Sequence, residues 1–244
     1  MDAKLERRDF LKAAAAGAAM MSAGSVDAAP RHQAQQQAAT AAQPPHRHRN
    51  GAAGPARLFL SDAEAAFLTA VVEIMIPADD VGPGGVEAGV VEFLDRQLAG
   101  AWGNGARMYL RGPWGEGTPQ QGYQLPLTTA QLFRASVPEL EALARQNGGK
   151  GFAQLPAQDR DKLLAALDSG EAALPTMPGK TFMELLRTSV VEGYFADPAY
   201  GGNRAMAAWR MIGFPGARGA YVDEIEAWRG KPFVDEPVSL ADLQ

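Results

Sequence analysis

Residues 181–216 read TFMELLRTSVVEGYFADPAYGGNRAMAAWRMIGFPG. Small and apolar residues of the first half recur at the spacing of one helical face, namely Phe182, Leu185, Leu186, Ser189, Val190, Gly193 and Tyr194. Such a stripe predicts an amphipathic helix whose apolar face lies in the protein core. Thr181 and Glu184 have capping-box spacing, which predicts that the helix starts here. Asp197-Pro198 predicts its end, because proline disfavours helical backbone in the residue before it.

The second half of this stretch predicts a tight turn followed by a short helix. Residues 200–203 read YGGN, in which the glycines permit positive φ and Asn203 is a suitable cap for the helix containing Trp209. Gly193 lies on the apolar stripe, so we expect another backbone segment to approach closely there. The turn follows a helix rather than a strand, which separates it from the glycine fingerprint of dinucleotide-binding proteins.

Other segments of the chain also carry helical patterns. The capping-box sequences SDAE at 61–64 and TTAQ at 128–131 predict two helix starts. Pro138 either kinks the second of these helices or separates it from another that restarts at Ser136. No alternating strand pattern appears, so we predict an all-α fold with a single irregular multi-helix domain. The further helices are expected at about residues 61–76, 86–98, 128–148, 152–169 and 219–228.

Residues 1–28 have the layout of an export signal. A polar segment ends at Lys12, a mildly apolar run follows, and small residues predict cleavage after Ala28. The apolar run, Ala13 to Val26, is too short to span a bilayer. The segment resembles the twin-arginine (Tat) signal, although Glu6 replaces the usual serine or threonine. The residues that match are Arg7, Arg8, Phe10, Leu11 and Lys12.

The rest of the chain divides into a linker and a domain. Residues 29–57 lack apolar periodicity and are rich in Gln, Ala, Pro and Gly, which predicts a disordered linker. Residues 58–244 are expected to form the helical domain, with an extended C-terminal tail from Lys231. Residues 1–57 carry eight Lys/Arg and four Asp/Glu (+4), whereas residues 58–244 carry fifteen and twenty-four (−9). An acidic domain argues against a nucleic-acid partner.

The composition also restricts the chemistry that this domain can perform. The chain has no cysteine, and its three histidines (His32, His46 and His48) all precede the predicted domain. Thiolate and imidazole chemistry are therefore not expected in the domain, and Ser189 has no histidine to activate it. Glu184 and Glu192 are eight residues apart, about 12 Å along a helix, which is too far for a shared proton. We predict no catalytic, cofactor-binding or metal-binding residues in this chain.

Aromatic residues are dense in the irregular stretch between residues 100 and 127. Two interpretations are open, since these side chains either pack over the domain or contact a partner. The residues concerned are Trp102, Tyr109, Trp114 and Tyr123.

The run from residue 192 to 216 resembles the small (gamma) subunit family of bacterial gluconate 2-dehydrogenase and related membrane-bound sugar dehydrogenases. The pattern of that family is Gly-Tyr-Phe, Asp-Pro-x-Tyr-Gly-Gly-Asn, Trp and Ile-Gly-Phe-Pro-Gly. The matching residues are Gly193, Tyr194, Phe195, Asp197, Pro198, Tyr200, Gly201, Gly202, Asn203, Trp209, Ile212, Gly213, Phe214, Pro215 and Gly216. The resemblance extends over about residues 58–230.

The resemblance implies a role without catalysis in this chain. Small subunits of this family accompany a large FAD-containing flavoprotein of the glucose–methanol–choline (GMC) class and carry the Tat signal that it lacks. A multihaem cytochrome c subunit often completes the complex and passes electrons to membrane quinone. We therefore expect an accessory subunit that is exported by the Tat machinery to the periplasm and is membrane-associated through its complex. FAD, and haem c where present, would be held by the partners.

Two alternatives of other classes remain open, an independent periplasmic helical enzyme and a module that binds a small ligand. The candidate partner interface combines the aromatic stretch with the turn of the family pattern. Its residues are Trp102, Tyr109, Trp114, Tyr123, Tyr200, Gly201, Gly202, Asn203, Trp209, Phe214 and Pro215.

Overall fold

The computed structural model describes residues 56–106, 108, 110–115, 117–118, 121, 124–222 and 224–243. This part of the chain contains helices and no strands, which confirms the all-α prediction. The predicted signal segment, and all but the last two residues of the predicted linker, lie outside the described residues. The helices are α1 (Asp62–Met75), α2 (Val90–Ala99), α3 (Thr129–Gly148), α4 (Ala157–Ser169), α5 (Gly179–Phe195), α6 (Ala207–Ile212) and α7 (Glu224–Ala227).

Helix α5 is the core helix, as its apolar stripe predicted. It packs against α4 and α2, and also contacts α1. Phe182, Leu186, Val190 and Tyr194 are fully buried. Each such side chain contributes roughly 1.5–3 kcal/mol by leaving water, so this stripe is a main source of stability.

The starts of α1 and α3 were predicted correctly, but the start of α5 was not. Ser61 and Thr128 form complete capping boxes at α1 and α3. Helix α5 instead begins at Gly179, after Pro178, without a side-chain cap. A Cβ atom at Gly179 would lie 2.3 Å from the carbonyl oxygen of Ala172, so the helix is packed against the preceding loop at this point. The helix therefore begins two residues before Thr181.

Helix α3 continues through Pro138 as one element, which decides for a single helix and against a second helix that restarts at Ser136. Two further boundaries differ from the sequence-based expectations. Helix α2 begins at Val90 because the chain is in the left-handed conformation at Gly89, with φ of 85°. The last α-helix, α7, has only four residues.

The chain enters the domain through a clamped segment, residues 57–60, which we call the N-terminal strap. The buried Asp95 carboxylate accepts hydrogen bonds from the backbone N–H groups of Leu58, Phe59 and Leu60 at 2.7–2.9 Å. On the other side, the Arg134 guanidinium lies 4.0 Å from the centroid of the Phe59 ring and donates to the Phe59 carbonyl. The strap is therefore held on both its amide and its carbonyl side.

Arg134 also connects the strap to the start of α1 by pairing with Glu64. Burial raises the pKa of the Glu64 carboxyl, but hydrogen bonds from Ser61 and Arg134 outweigh this and leave its pKa below the usual range. The charged form of Glu64 is thus part of the folded state.

Candidate functional site

The family pattern forms a compact junction between the end of α5 and the turn that follows it. A Cβ atom at Gly202 would lie 2.0 Å from the carbonyl oxygen of Gly193, and one at Gly193 would lie 2.7 Å from the Phe93 ring. The close approach of backbone expected at Gly193 is therefore confirmed. Gly202 must be glycine because no side-chain atom fits between the turn and the backbone of α5, and Gly193 because the Phe93 and Val90 side chains of α2 occupy the space beside it.

Two side chains of the pattern satisfy the carbonyl groups at the end of α5. The Asn203 side-chain amide donates to the Ala196 carbonyl at 3.0 Å, and the Trp209 indole N–H donates to the Phe195 carbonyl at 2.8 Å. The Asn203 side-chain oxygen accepts from the Ala208 N–H at 2.9 Å, in the first turn of α6, although the N-cap position of that helix is Met206. These bonds supply partners that the ends of helices otherwise lack.

The turn itself has an unfavourable backbone conformation. Asn203, Ala205 and Met206 all have positive φ, at 45°, 55° and 55°. The left-handed region costs roughly 1–2 kcal/mol for a residue with a Cβ atom, although asparagine tolerates it better than most. The shape of the turn is therefore imposed by the contacts around it, and such imposed conformations are concentrated at functional positions.

The C-terminal tail, predicted to be extended, is attached to this junction through Asp197. Asp197 accepts from the Ser239 hydroxyl at 2.6 Å, the Leu240 N–H at 2.8 Å and the Ala199 N–H at 2.9 Å. Gly216 and Val238 form an isolated parallel bridge, and Leu240–Leu243 form a 3₁₀ turn. Burial raises the pKa of the Asp197 carboxyl, but the three hydrogen bonds outweigh burial, so its pKa is lowered overall.

Replacing Asp197 with asparagine is expected to release the tail and leave the helical body folded. The side-chain amide of asparagine would place an N–H donor opposite the Ser239 hydroxyl and the Leu240 N–H, which are themselves donors. The lost hydrogen bonding should reduce the stability of the attached tail by roughly 1–3 kcal/mol. Because the folded-state pKa of Asp197 is lowered, its contribution is complete above its unfolded pKa of about 3.9 and is lost as pH falls below that value. Hydrogen exchange of residues 236–243, measured between pH 7 and pH 3, tests both expectations.

The control for this experiment is the exposed residue Asp80, replaced by asparagine. The Asp80→Asn variant should keep the tail protected at pH 7 and lose that protection on acidification, as the unchanged protein does. Equal protection of the tail in Asp197→Asn and in the unchanged protein would show that this carboxylate does not hold it.

The structure corrects part of the candidate interface. Gly201, Gly202, Asn203 and Trp209 are buried within the junction, so they shape it and are not accessible to a partner. Tyr200, Phe214 and Trp102 are exposed, by 50%, 42% and 36%. Trp114 and Pro215 are half-buried, and Tyr109 and Tyr123 lie outside the described residues.

The exposed apolar side chains include several that the sequence patterns did not indicate. Residues 217–243 are here called the C-terminal extension, and those of them that the structure describes contribute nothing to the hydrophobic core cluster. A small aromatic cluster orders part of the extension, since the Phe233 ring centroid lies 5.9 Å from that of Tyr221 and 5.2 Å from that of Trp228. The available signal was a set of apolar residues outside the stripes of the core helices, although Tyr221 and Ile225 are four positions apart, as on one helical face. Those missed are Ile212, Tyr221, Val222, Ile225, Val234, Leu240 and Leu243.

The carboxylates and the hydroxyl considered for catalysis do not form a constellation. Ser189 is buried, and its hydroxyl donates to the Leu185 carbonyl at 2.8 Å. Arg187 pairs with Asp168, not with the glutamates of its own helix. Glu192 retains an exposed side chain, yet the surrounding protein desolvates it enough to raise the pKa of its carboxyl.

Together, these features define a class of protein, a small exported helical chain with a buried motif junction and an exposed apolar extension. Residues 4–24 match the family model of the twin-arginine translocation (TAT) pathway signal sequence, so the chain is exported across the membrane to the periplasm. Residues 62–216 match the family model described as gluconate 2-dehydrogenase subunit 3. The chain belongs to the gluconate 2-dehydrogenase subunit 3 family.

Two other comparisons produced no relative. Neither the curated proteins nor the solved structures contain a match to this chain. Among the described residues, no helix combines the length and the apolar character that crossing a membrane requires.

Proposed function

We propose that this chain is a non-catalytic accessory subunit of a periplasmic FAD-dependent, GMC-type dehydrogenase that oxidises gluconate, another sugar or an alcohol. It would bring the folded flavoprotein through the Tat machinery and stabilise it after export. The observation that carries this proposal is the presence of a Tat signal and a subunit 3 domain on one chain. Membrane association would come from the complex, with a cytochrome c subunit as a further partner.

We place FAD in the partner because the glycine turn of this chain has no room for a dinucleotide. The turn lies between two helices, and its second glycine is in contact with the backbone of Gly193. A pyrophosphate requires an open glycine loop at the start of a helix, with amide groups that point toward the ligand.

The surface proposed to contact the flavoprotein surrounds the buried junction. Its apolar side chains are carried by segments that are bonded to one another through Asp197 and through the Gly216–Val238 bridge. Exposed apolar residues grouped in this way are typical of the centre of a protein interface. We define this face by Tyr200, Ile212, Phe214, Leu240 and Leu243.

Coexpression of the chain with its flavoprotein tests the export function. Replacing Arg7 and Arg8 together with lysine is expected to leave dehydrogenase activity in the cytoplasm, because the flavoprotein has no signal of its own in this proposal. Replacing Arg31 and Arg47, which lie beyond the signal, with lysine is the matched control. Full periplasmic activity with the Arg7/Arg8 variant would contradict the proposal.

Coexpression with the flavoprotein also tests whether the docking face contacts it. Ile212→Asp places a charge on a side chain that is 57% exposed in the isolated chain, and it should reduce copurification of the flavoprotein at least tenfold. Val81→Asp is the control, since Val81 is 56% exposed and lies in the loop between α1 and α2. If copurification of the flavoprotein falls equally in both variants, or does not fall in Ile212→Asp, the flavoprotein binds elsewhere.

A further inference from the structure

A groove of about 780 Å³ lies beside the N-terminal strap, on the side of the chain where α2 begins. The strap, the start of α2 and the turn after α5 contribute its walls. Its volume is within the range of small-molecule sites, roughly 300–1,000 Å³. The apolar part of its lining comes from Leu58, Leu60, Val86 and Val91.

Two arginines of the groove share one carboxylate. The Glu92 side chain accepts from Arg96 at 2.5 Å through one oxygen and from Arg204 at 2.7 Å through the other. A guanidinium has five N–H donors, and these bonds use one nitrogen of each arginine. One negative charge against two positive charges leaves the group with a net charge of +1.

The positions of both guanidinium groups depend on glycines. A Cβ atom at Gly201 would lie 3.0–3.2 Å from side-chain atoms of Arg96, and one at Gly89 would lie 3.0 Å from Nε of Arg204. Gly89 and Gly201 also have positive φ, at 85° and 105°. Arg96 therefore lies directly against the backbone of the turn and Arg204 against the backbone before α2, so a larger residue at either glycine would displace its arginine.

Two other charged residues line the groove, Asp95 and Arg57. Asp95 contributes a second carboxylate, which is buried and bonded to three backbone N–H groups of the strap. Arg57 forms an ion pair with Asp62. What the groove offers an anion is therefore the unused N–H groups of Arg96 and Arg204 beside apolar walls, and not an excess of positive charge.

From this arrangement we propose that the groove is a binding site for a small organic carboxylate with an apolar body. Guanidinium groups pair with carboxylates through two parallel hydrogen bonds, and Arg96 and Arg204 both keep N–H groups that Glu92 does not use. The apolar walls favour a ligand whose carbon chain leaves water together with its charged end. This inference concerns a site separate from the proposed docking face and does not depend on the flavoprotein.

Calorimetric titration of the full chain with octanoate tests the site, with octan-1-ol and inorganic phosphate as comparison ligands. Octanoate should bind most tightly, because the alcohol lacks the charge and phosphate lacks the apolar body. Arg204→Gln and Arg96→Gln should each weaken octanoate about tenfold, the effect of losing one charge-assisted hydrogen bond. Arg145→Gln is the matched control, since Arg145 also pairs with a glutamate four residues before it and does not line the groove.

The Glu92→Gln variant is expected to change the affinity for octanoate in the opposite direction. Removing the shared carboxylate frees both guanidinium groups, so octanoate should bind several-fold more tightly if the arginines are the anion site. Thermal unfolding of each variant identifies any that does not fold. If one arginine variant does not fold, the octanoate affinity of the other arginine variant tests the proposal. Equal binding of octanoate and octan-1-ol, no binding of octanoate, or equal weakening by Arg145→Gln and Arg204→Gln would each overturn the proposal.

Discussion

Replacing Gly202 with alanine is expected to destabilise the folded protein by at least ~3 kcal/mol, at the upper end of what overpacking costs. The new Cβ atom would lie 2.0 Å from the Gly193 carbonyl oxygen and 3.0 Å from its carbonyl carbon. Both are backbone atoms of the core helix, so the clash cannot be relieved by a side-chain rotation. The free energy of unfolding, measured by urea denaturation, is the quantity to compare.

Gly219 is the matched control for this substitution. A Cβ atom there would have no neighbour within 4 Å, so Gly219→Ala should change the free energy of unfolding by less than ~0.5 kcal/mol. Comparable stability of Gly202→Ala and Gly219→Ala would mean that the turn does not press on α5 in solution. Because Tat transports folded proteins, we also expect Gly202→Ala to reduce export of the chain and of the proposed flavoprotein partner.

Replacing Trp209 with alanine should cost about 3–5 kcal/mol, the range for truncating a large buried aromatic residue. Trp209 is 5% exposed, and its ring lies edge-on to Phe214, with centroids 5.1 Å apart. The substitution also leaves the Phe195 carbonyl, at the end of the core helix, without its indole donor. Urea denaturation measures the total loss, and hydrogen exchange of residues 203–208 shows whether the turn opens.

Two comparison variants separate the contributions of Trp209. Trp209→Phe keeps most of the ring but removes the N–H group, and should cost about 1–2 kcal/mol. Trp102→Ala, at a side chain that is 36% exposed, should cost much less than Trp209→Ala. Similar losses in Trp209→Ala and Trp102→Ala would contradict the role of the indole at the end of α5.

The residues of the family pattern have two different positions in this chain, inside the molecule and on its surface. Gly202, Asn203 and Trp209 act inside the molecule, where they close the end of α5 and fix a turn with three residues of positive φ. The side chains that remain exposed, among them Tyr200 and Phe214, are displayed by that turn. The pattern is therefore a structural support for an exposed surface, and the surface is the part available to a partner.

Local signals in the sequence were sufficient to predict the class of fold and the position of its main helix. The apolar stripe on α5 and the capping boxes at Ser61 and Thr128 were all confirmed, because helical periodicity and caps depend on residues three or four positions apart. The Tat signal and the subunit family were likewise readable from short runs of residues.

Tertiary structure alone decided the features that depend on distant residues. The pairing of Asp197 with Ser239 spans 42 positions, and the arginine groove unites Glu92 with Arg204 across 112. Helix α5 starts at Gly179, where a loop packs against it, and not at the cap that the sequence predicts at Thr181. Residues this far apart are brought together by packing of the core, and no local spacing encodes their distance. The sequence by itself thus determined the class of fold and the family, whereas packing decided which residues of the family pattern are buried and which are exposed.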